Sequence, residues 1–502
     1  MNRALLAAAA LSAAACSFAP KYQRPDAGVP QEFRLVKASE AASIADLPWW
    51  EFFRDPVLQG LIREALANNQ DLALAVARVE QSRALVGVAK ADLYPQINGN
   101  VTGGYGDLST QTFPGSKTGG RYTINGNVSW LMDLWGQVRN SRDAAYADLL
   151  ATEDGRRAVV LSLVSGIAQA YVELRALDLQ LEIAKSNTET RRGTLELFEA
   201  RAAGGAASDL EVNQARSDLA VTLAAIPQTQ ILIWIQEHQI SVLLGRAPSS
   251  IPRGTALVDM PAAPDLPAGV PAQLLTRRPD VLAAEQNIIA AGNRVGVAVA
   301  NRLPALSLTG FIGLDATNVP DLFTPGALTW NAGAALFAPI FQGFRLASLE
   351  AAARAVLDQT IASYRKTVEV ALQEVADASA GVAKFGEVRA AFEMQVKATT
   401  ASVDLARGRY EGGVASYLDV LDAQRRLYEA QLNLQGAIRD QLTSFVQLYR
   451  ALGGGWQYAE PVVPETPPPG GKPPPPPAKP PAPPTQPPAQ PAAALAESTA
   501  AK

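Results

Sequence analysis

The chain has 502 residues but is short of the side chains on which most enzymes and metalloproteins rely. It holds one cysteine, Cys16, so no disulfide can close within it, and one histidine, His238. Those counts exclude zinc sites built from four cysteines, from paired cysteines and histidines, or from three histidines. A catalytic triad would have to use His238, which lies in a helical run between Glu237 and Gln239 and reads as a surface residue. Gly115-Ser116-Lys117-Thr118 lacks the Gly-Lys pair and the leading spacing of a phosphate loop, and it falls between two predicted strands. Charge is scarce as well: 18% of residues are charged, with a net of -4, so nothing points to a nucleic-acid partner. Only four methionines are present, too few to suggest a methionine relay for copper. Nor does any segment after Cys16 hold 18 consecutive apolar residues, so no transmembrane helix is predicted. No catalytic residue, cofactor or metal is assigned.

What is present begins with an export signal. Arg3 supplies a positive start, and Ala4 to Ala15 is apolar or small apart from Ser12. The run ends Ala13-Ala14-Ala15-Cys16, which has the form of a bacterial lipobox, with Ala13 where leucine is commonest. Cys16 is therefore the expected lipidation site, and several acyl chains on it would anchor the protein to lipid. At the far end, 461–502 is a Pro-rich tail that includes Pro473 to Pro477. Proline cannot donate to a ladder, so a disordered, extended, polyproline-like spacer is expected there.

Between these ends the chain repeats itself. Val86-Gly87-Val88-Ala89 and Pro95 recur as Val295-Gly296-Val297-Ala298 and Pro304, an offset of 209. Gly204-Gly205, Ala207-Ser208 and Leu210-Glu211-Val212 recur as Gly412-Gly413, Ala415-Ser416 and Leu418-Asp419-Val420, an offset of 208. So steady an offset marks a duplication. The expected plan is a signal peptide at 1–15, a lipidated N-terminal segment and belt at 16–56, a first repeat at 57–255, a second at 256–460, and the tail.

Each repeat reads helix, two strands, a very long helix, then another helix. Strands are expected at about 97–106, 120–131, 305–315 and 327–338. Along the second, Tyr122, Ile124, Gly126, Val128 and Trp130 alternate with Thr123, Asn125, Asn127 and Ser129. Strands of about ten residues with period two have the length and pattern of a membrane barrel, and a half-buried soluble hairpin gives the same alternation. Aromatics near the strand ends fit an interfacial girdle. Gln137 to Ala203 and Phe344 to Glu411 run without proline and are rich in Ala, Leu, Glu and Arg. Each would be a helix of about 100 Å at 1.5 Å per residue. The Gly pairs mark helix–turn–helix points, and the last helix carries a heptad row of Val420, Leu427, Leu434 and Leu448.

Four strands cannot close a barrel, for which eight is about the smallest number. Open edges in lipid leave backbone groups unpaired at several kcal/mol each. Strands must therefore be pooled between chains. Two chains give eight and three give twelve, and a channel wide enough for solutes favours three.

Motifs in this order resemble the outer membrane factor family of tripartite efflux pumps, the TolC-like and OprM-like channels, in the NodT-type lipoprotein branch. They are Pro48-Trp49-Trp50 with Asp55-Pro56, Arg278-Pro279-Asp280-Val281, Leu306-Ser307-Leu308-Thr309-Gly310, Pro339-Ile340-Phe341-Gln342-Gly343 and Tyr417-Leu418-Asp419-Val420-Leu421-Asp422. The resemblance covers nearly all of Cys16 to Trp456. It implies a membrane β-barrel plus a long α-helical barrel: a trimer with a 12-stranded barrel, a 12-helix periplasmic tunnel and a mixed belt. The Pro-rich tail has no counterpart in it.

By the same resemblance the start of the last helix is the periplasmic mouth. Leu418, Asp419 and Asp422 would form a leucine collar and carboxylate rings there; the bland reading of the two acids is a solvated helix start favoured by the dipole. Tyr410 matches a family latch tyrosine and Glu211 the acidic position opposite, so a Tyr410–Glu211 hydrogen bond is expected. The latch arginine of the TolC-type pattern is Ala415 here. The implied function is a passive exit duct in the outer membrane, lipid-anchored and extending into the periplasm. Small molecules would reach it from an inner-membrane resistance–nodulation–division pump through a periplasmic adaptor. A type I protein-secretion exit and a non-pore coiled-coil scaffold stay open.

Overall fold

A computed structural model describes residues 17–30, 43–107, 118–260 and 271–456. Cys16, the signal run, most of the loop lookalike at Gly115 to Lys117, and the Pro-rich tail lie outside them. Helices α1 (Pro56–Asn68) and α2 (Gln70–Ala91) lead into strands β1 (Gln96–Asp107) and β2 (Thr118–Met132). A long helix α3 (Gln137–Ala203) and its return α4 (Asp209–Leu243) complete the first copy. The second copy repeats the order with α5 (Pro279–Ala300), β3 (Ala305–Ala316), β4 (Leu328–Phe337), α6 (Arg345–Glu411) and α7 (Tyr417–Ala451). Both long helices have 67 residues and both returns have 35.

The turns between them are written in the sequence. Gly205 and Gly413 adopt φ of 74° and 72°, left-handed angles that a Cβ disfavours. Ser208 and Ser416 then cap α4 and α7, accepting from Glu211 N and Leu418 N respectively. Ala, Leu and Glu between these stops carry no breaker, so each helix continues until the glycines end it.

The four strands form one antiparallel sheet in the order β1-β2-β3-β4. Its register joins Val101, Ile124, Leu314 and Leu328 in one apolar row across all four strands. On the opposite face Asn98 pairs with Asn127, Thr102 bonds Thr123 at 2.6 Å, and Arg121 bridges Asp315 at 2.8 Å. One face thus suits lipid and the other water, and both β1 and β4 keep an unpaired edge. The alternation belongs to membrane strands rather than to a soluble hairpin. By length and composition alone, stretches of α3 and α4 would also cross a bilayer. In α3, however, 56% of that stretch is buried within the fold.

The core sits halfway along the long helices. There Ile167, Tyr171 and Leu174 of α3 meet Ile62 of α1 and Tyr449 of α7, all fully buried. The two motif regions converge on it. Phe52 stacks on Tyr449 at 4.4 Å, and Asp55 caps α1 while also accepting from Thr255 N at 2.8 Å. Tyr171 takes a hydrogen bond from Gly254 N at 2.8 Å, and burial pushes its hydroxyl up to about 12. Arg278, the N-cap residue of α5, grips Asp280 with two nitrogens, at 2.7 and 3.1 Å. The same guanidinium reaches Glu374 of α6 at 2.7 Å and the carbonyl of Ala451 at 2.8 Å. The Arg-Pro-Asp motif is therefore a clamp joining α5, α6 and the end of α7.

The N-terminal segment descends beside α5. Ser17 donates to Asn140 at 2.8 Å, Phe18 meets Trp135, and Arg24 with Tyr22 engages Glu285. Gly296, half of the repeated Val-Gly-Val-Ala motif, leaves room for this segment: an added Cβ would lie 2.8 Å from Ala19 N.

Candidate functional site at the hairpin tips

The four long helices form two hairpins, α3/α4 and α6/α7, whose turns lie at one end of the molecule, opposite the sheet. At that end Leu418, Asp419 and Asp422 line one open cleft of 520 Å³ with Gln214 and Asp218 of α4 and Arg191 of α3. Leu418 is exposed. The two aspartates differ in their surroundings. Asp422 pairs with Arg425 at 3.0 Å and Arg426 at 2.9 Å, one turn further along α7. Asp419 is exposed and, among the described residues, forms no ion pair. Of these two aspartates, Asp419 is thus the one that no arginine screens among the described residues.

Tyr410 and Glu211 are not brought together. Glu211 turns back on its own helix start, accepting from Ser208 N at 2.8 Å and Ser208 Oγ at 3.0 Å in a capping box. Those bonds, backbone first, hold its carboxyl below the usual glutamate range. A residue committed to capping has no reach left for a helix in the other hairpin. The Tyr410 hydroxyl instead receives a hydrogen bond from Arg201, whose guanidinium also lies 4.9 Å from the Tyr410 ring centre. Beside it the Tyr417 hydroxyl donates to Thr194 Oγ1 at 2.7 Å, and the Tyr417 ring meets Phe198 edge-on at 4.5 Å. Burial, above all, raises the Tyr417 hydroxyl above its ordinary value. Deeper in, the buried Arg191 donates to Gln424 at 3.2 Å.

Arg201 and Arg191 on α3 thus reach α6 and α7 of the other copy through the Tyr410 hydroxyl and the Gln424 amide, both neutral acceptors. These arginines lay hidden in the sequence among many helical arginines. The one available signal was the repeat, which sets Arg201 against Arg409 in the duplicated turn.

The fold now has a defined pattern: a four-stranded sheet with one apolar face, two hairpins whose long helices run about 100 Å, and an acidic cleft at their tips. The family model for outer membrane efflux proteins matches this chain twice, over residues 61–246 and 270–454. The chain belongs to the outer membrane efflux protein family. The solvent efflux pump outer membrane protein SrpC of Pseudomonas putida is 34% identical over 459 residues, spanning 89% of this chain and 96% of that protein. The cation efflux system protein CusC of Escherichia coli is 32% identical, spanning 89% and 97%. Among solved structures, the outer-membrane channel OprN superposes with a TM-score of 0.81 at 30% identity, over 88% of this chain and all of that one. The open state of the Neisseria gonorrhoeae MtrE outer membrane channel gives 0.76 at 28% identity, over 88% and 99%. This protein is accordingly an outer membrane efflux channel, in a family of channels rather than enzymes. Its sheet supplies the barrel and its hairpins supply the tunnel.

Proposed function

We propose that three copies form a lipid-anchored exit duct that passes small molecules delivered by an inner-membrane resistance–nodulation–division pump through a periplasmic adaptor. The observation that carries this reading is the four-stranded sheet with an apolar face and two open edges. It cannot stand alone in lipid, and three copies give a twelve-stranded barrel. The relatives named for solvent and for cation efflux span such different cargo that the duct is read as unselective, with selection left to the pump. Anchoring at Cys16 suits the position of its neighbours: Ser17 and Phe18 pack on Asn140 and Trp135, just below the last residues of β2. Leu418, Asp419 and Asp422 form the constriction, and Tyr410 with Arg201 belongs to the latch that holds it shut.

Purified protein in planar bilayers, with its mass checked in detergent, tests the reading. A trimer with small, cation-selective currents is expected, and a monomer or a silent trimer would leave the hairpins as a scaffold. Asp419→Ala with Asp422→Ala is expected to raise conductance and weaken block by divalent cations, with Asp419 carrying most of the effect. Unchanged current and block in the double variant would remove both residues from the constriction.

A further inference from the structure

The polar face of the sheet is almost without charge. Asn98 lies beside Asn127 on it and Asn100 beside Asn125, and Asn331 and Thr329 carry the same two rows on to β4. The four strands hold three charged residues, Asp107, Arg121 and Asp315. Asp107 ends β1, and the other two meet on the polar face. Arg121 donates from Nε at 3.4 Å and from a terminal nitrogen at 2.8 Å, one bond to each oxygen of Asp315. This fork joins copy one to copy two. Met132 pairs with Leu306 at the helix end of the β2–β3 ladder and Tyr122 with Ala316 at the other, so the ion pair sits at the end of the sheet away from the helices. Its side chains are 55% and 33% exposed. Exposed pairs add little stability, and β2 and β3 are already joined by a full ladder. What the pair changes is the charge seen by the water beside it.

We infer that Arg121 sets the charge selectivity of the outer mouth: by neutralising Asp315 it lets solutes of either sign leave without being sorted there. The inference rests on the proposed duct, in which the polar face lines the water-filled bore and the end of the sheet away from the hairpins is the outer mouth. Three copies place Asp315 three times around that bore. Stripped of Arg121, those carboxylates form a ring of like charge facing shared water, and carboxylate rings favour cations over anions. Such a charge acts over about 30 Å at 0.01 M salt and about 3 Å at 1 M. Between the pair and the helices the Asn and Thr rows offer dipoles but no net charge, so nothing on the described polar face offsets the ring or repeats it. The two ends of the duct are thus built oppositely. At the tips Asp419 is left without an arginine partner among the described residues, whereas at the mouth Asp315 is held by one.

The test measures reversal potentials of the full-length channel in planar bilayers under a gradient of dilute KCl, together with block by hexamminecobalt(III) added on the sheet side. Arg121→Gln is expected to raise the cation-to-anion permeability ratio severalfold and to strengthen that block about tenfold. The side of addition separates this effect from that of Asp419, which is reached from the hairpin side. Asp315→Asn leaves Arg121 alone and should move the ratio towards anions. Arg121→Gln with Asp315→Asn removes both charges and should return both readouts to wild type, and Arg121→Lys, which keeps the charge, should stay near it. These differences should fade at about 1 M salt, where screening is complete within about 3 Å. Conducting variants with the wild-type ratio and block overturn the role of Arg121 and leave the duct standing. Failure of every form to conduct, wild type included, overturns both. Should Arg121→Gln not assemble, Asp315→Asn and the double variant decide: no shift towards anions in the first, or no return in the second, overturns the assignment.

Discussion

Arg201→Ala combined with Tyr410→Phe is expected to raise the open fraction of the channel by about 10- to 100-fold per chain. A hydrogen bond from a charged donor contributes about 1.5–3 kcal/mol, reduced here to roughly 1–2 because Arg201 is only partly buried. The guanidinium over the Tyr410 ring adds about 0.5–1 kcal/mol. Together that is roughly 1.5–3 kcal/mol, and 1.4 kcal/mol is about tenfold in population. Tyr410→Phe alone removes the hydrogen bond but keeps the ring contact, so it should give the larger part of the effect. Single-channel recordings of open probability decide it, and an open fraction equal to wild type in the double variant would remove this pair from the latch. The latch also has a pH signature. The neighbouring Tyr417 hydroxyl is raised above its ordinary value of 10.0 by burial. Its protonated form is favoured in the closed tip, so its contribution is complete below pH 10 and is lost as pH rises through the raised value. A Tyr410–Glu211 latch would have shown the opposite trend, failing in acid.

Arg278→Ala is expected to destabilise the folded chain by about 3–5 kcal/mol, the typical result of removing one partner of a buried ion pair. Arg278 is buried and its guanidinium bonds Asp280, Glu374 and the Ala451 carbonyl, so its loss unpairs Asp280 and a helix-end carbonyl and leaves Glu374 only Arg450. Arg278→Lys should recover only part, because a single ammonium cannot hold Asp280 with two nitrogens while reaching Glu374. The midpoint of thermal or denaturant unfolding in detergent measures it. A shift corresponding to less than about 1 kcal/mol would mean that the clamp contributes no more than an exposed pair.

The elements of this fold were legible because each is governed by local rules over long stretches. Period two over ten residues marks a strand, and an unbroken run from Gln137 to Ala203 marks a helix that only the glycines after it can end. That Leu418 and Asp422 line one cleft was legible for a different reason, since they share a face by spacing alone. What stayed hidden were pairings between copies. Arg201 finds Tyr410 across 209 residues, and nothing near either residue announces it. Glu211 looked free for the same reason, although the Ser208-x-x-Glu211 spacing was a capping box in plain view. The two arginines that screen Asp422 were also readable, three and four residues along its helix.

By itself the sequence determined the duplication, the strand and helix lengths and the need for more than one chain. These follow from periodicity, composition and counting, which require no knowledge of what touches what. Only the tertiary structure decided which side chains meet at the tips and why Arg278-Pro279-Asp280 is spelled that way. Those depend on how the two hairpins lie against each other, and side-chain contacts between segments some 200 residues apart are set by packing rather than by any local pattern.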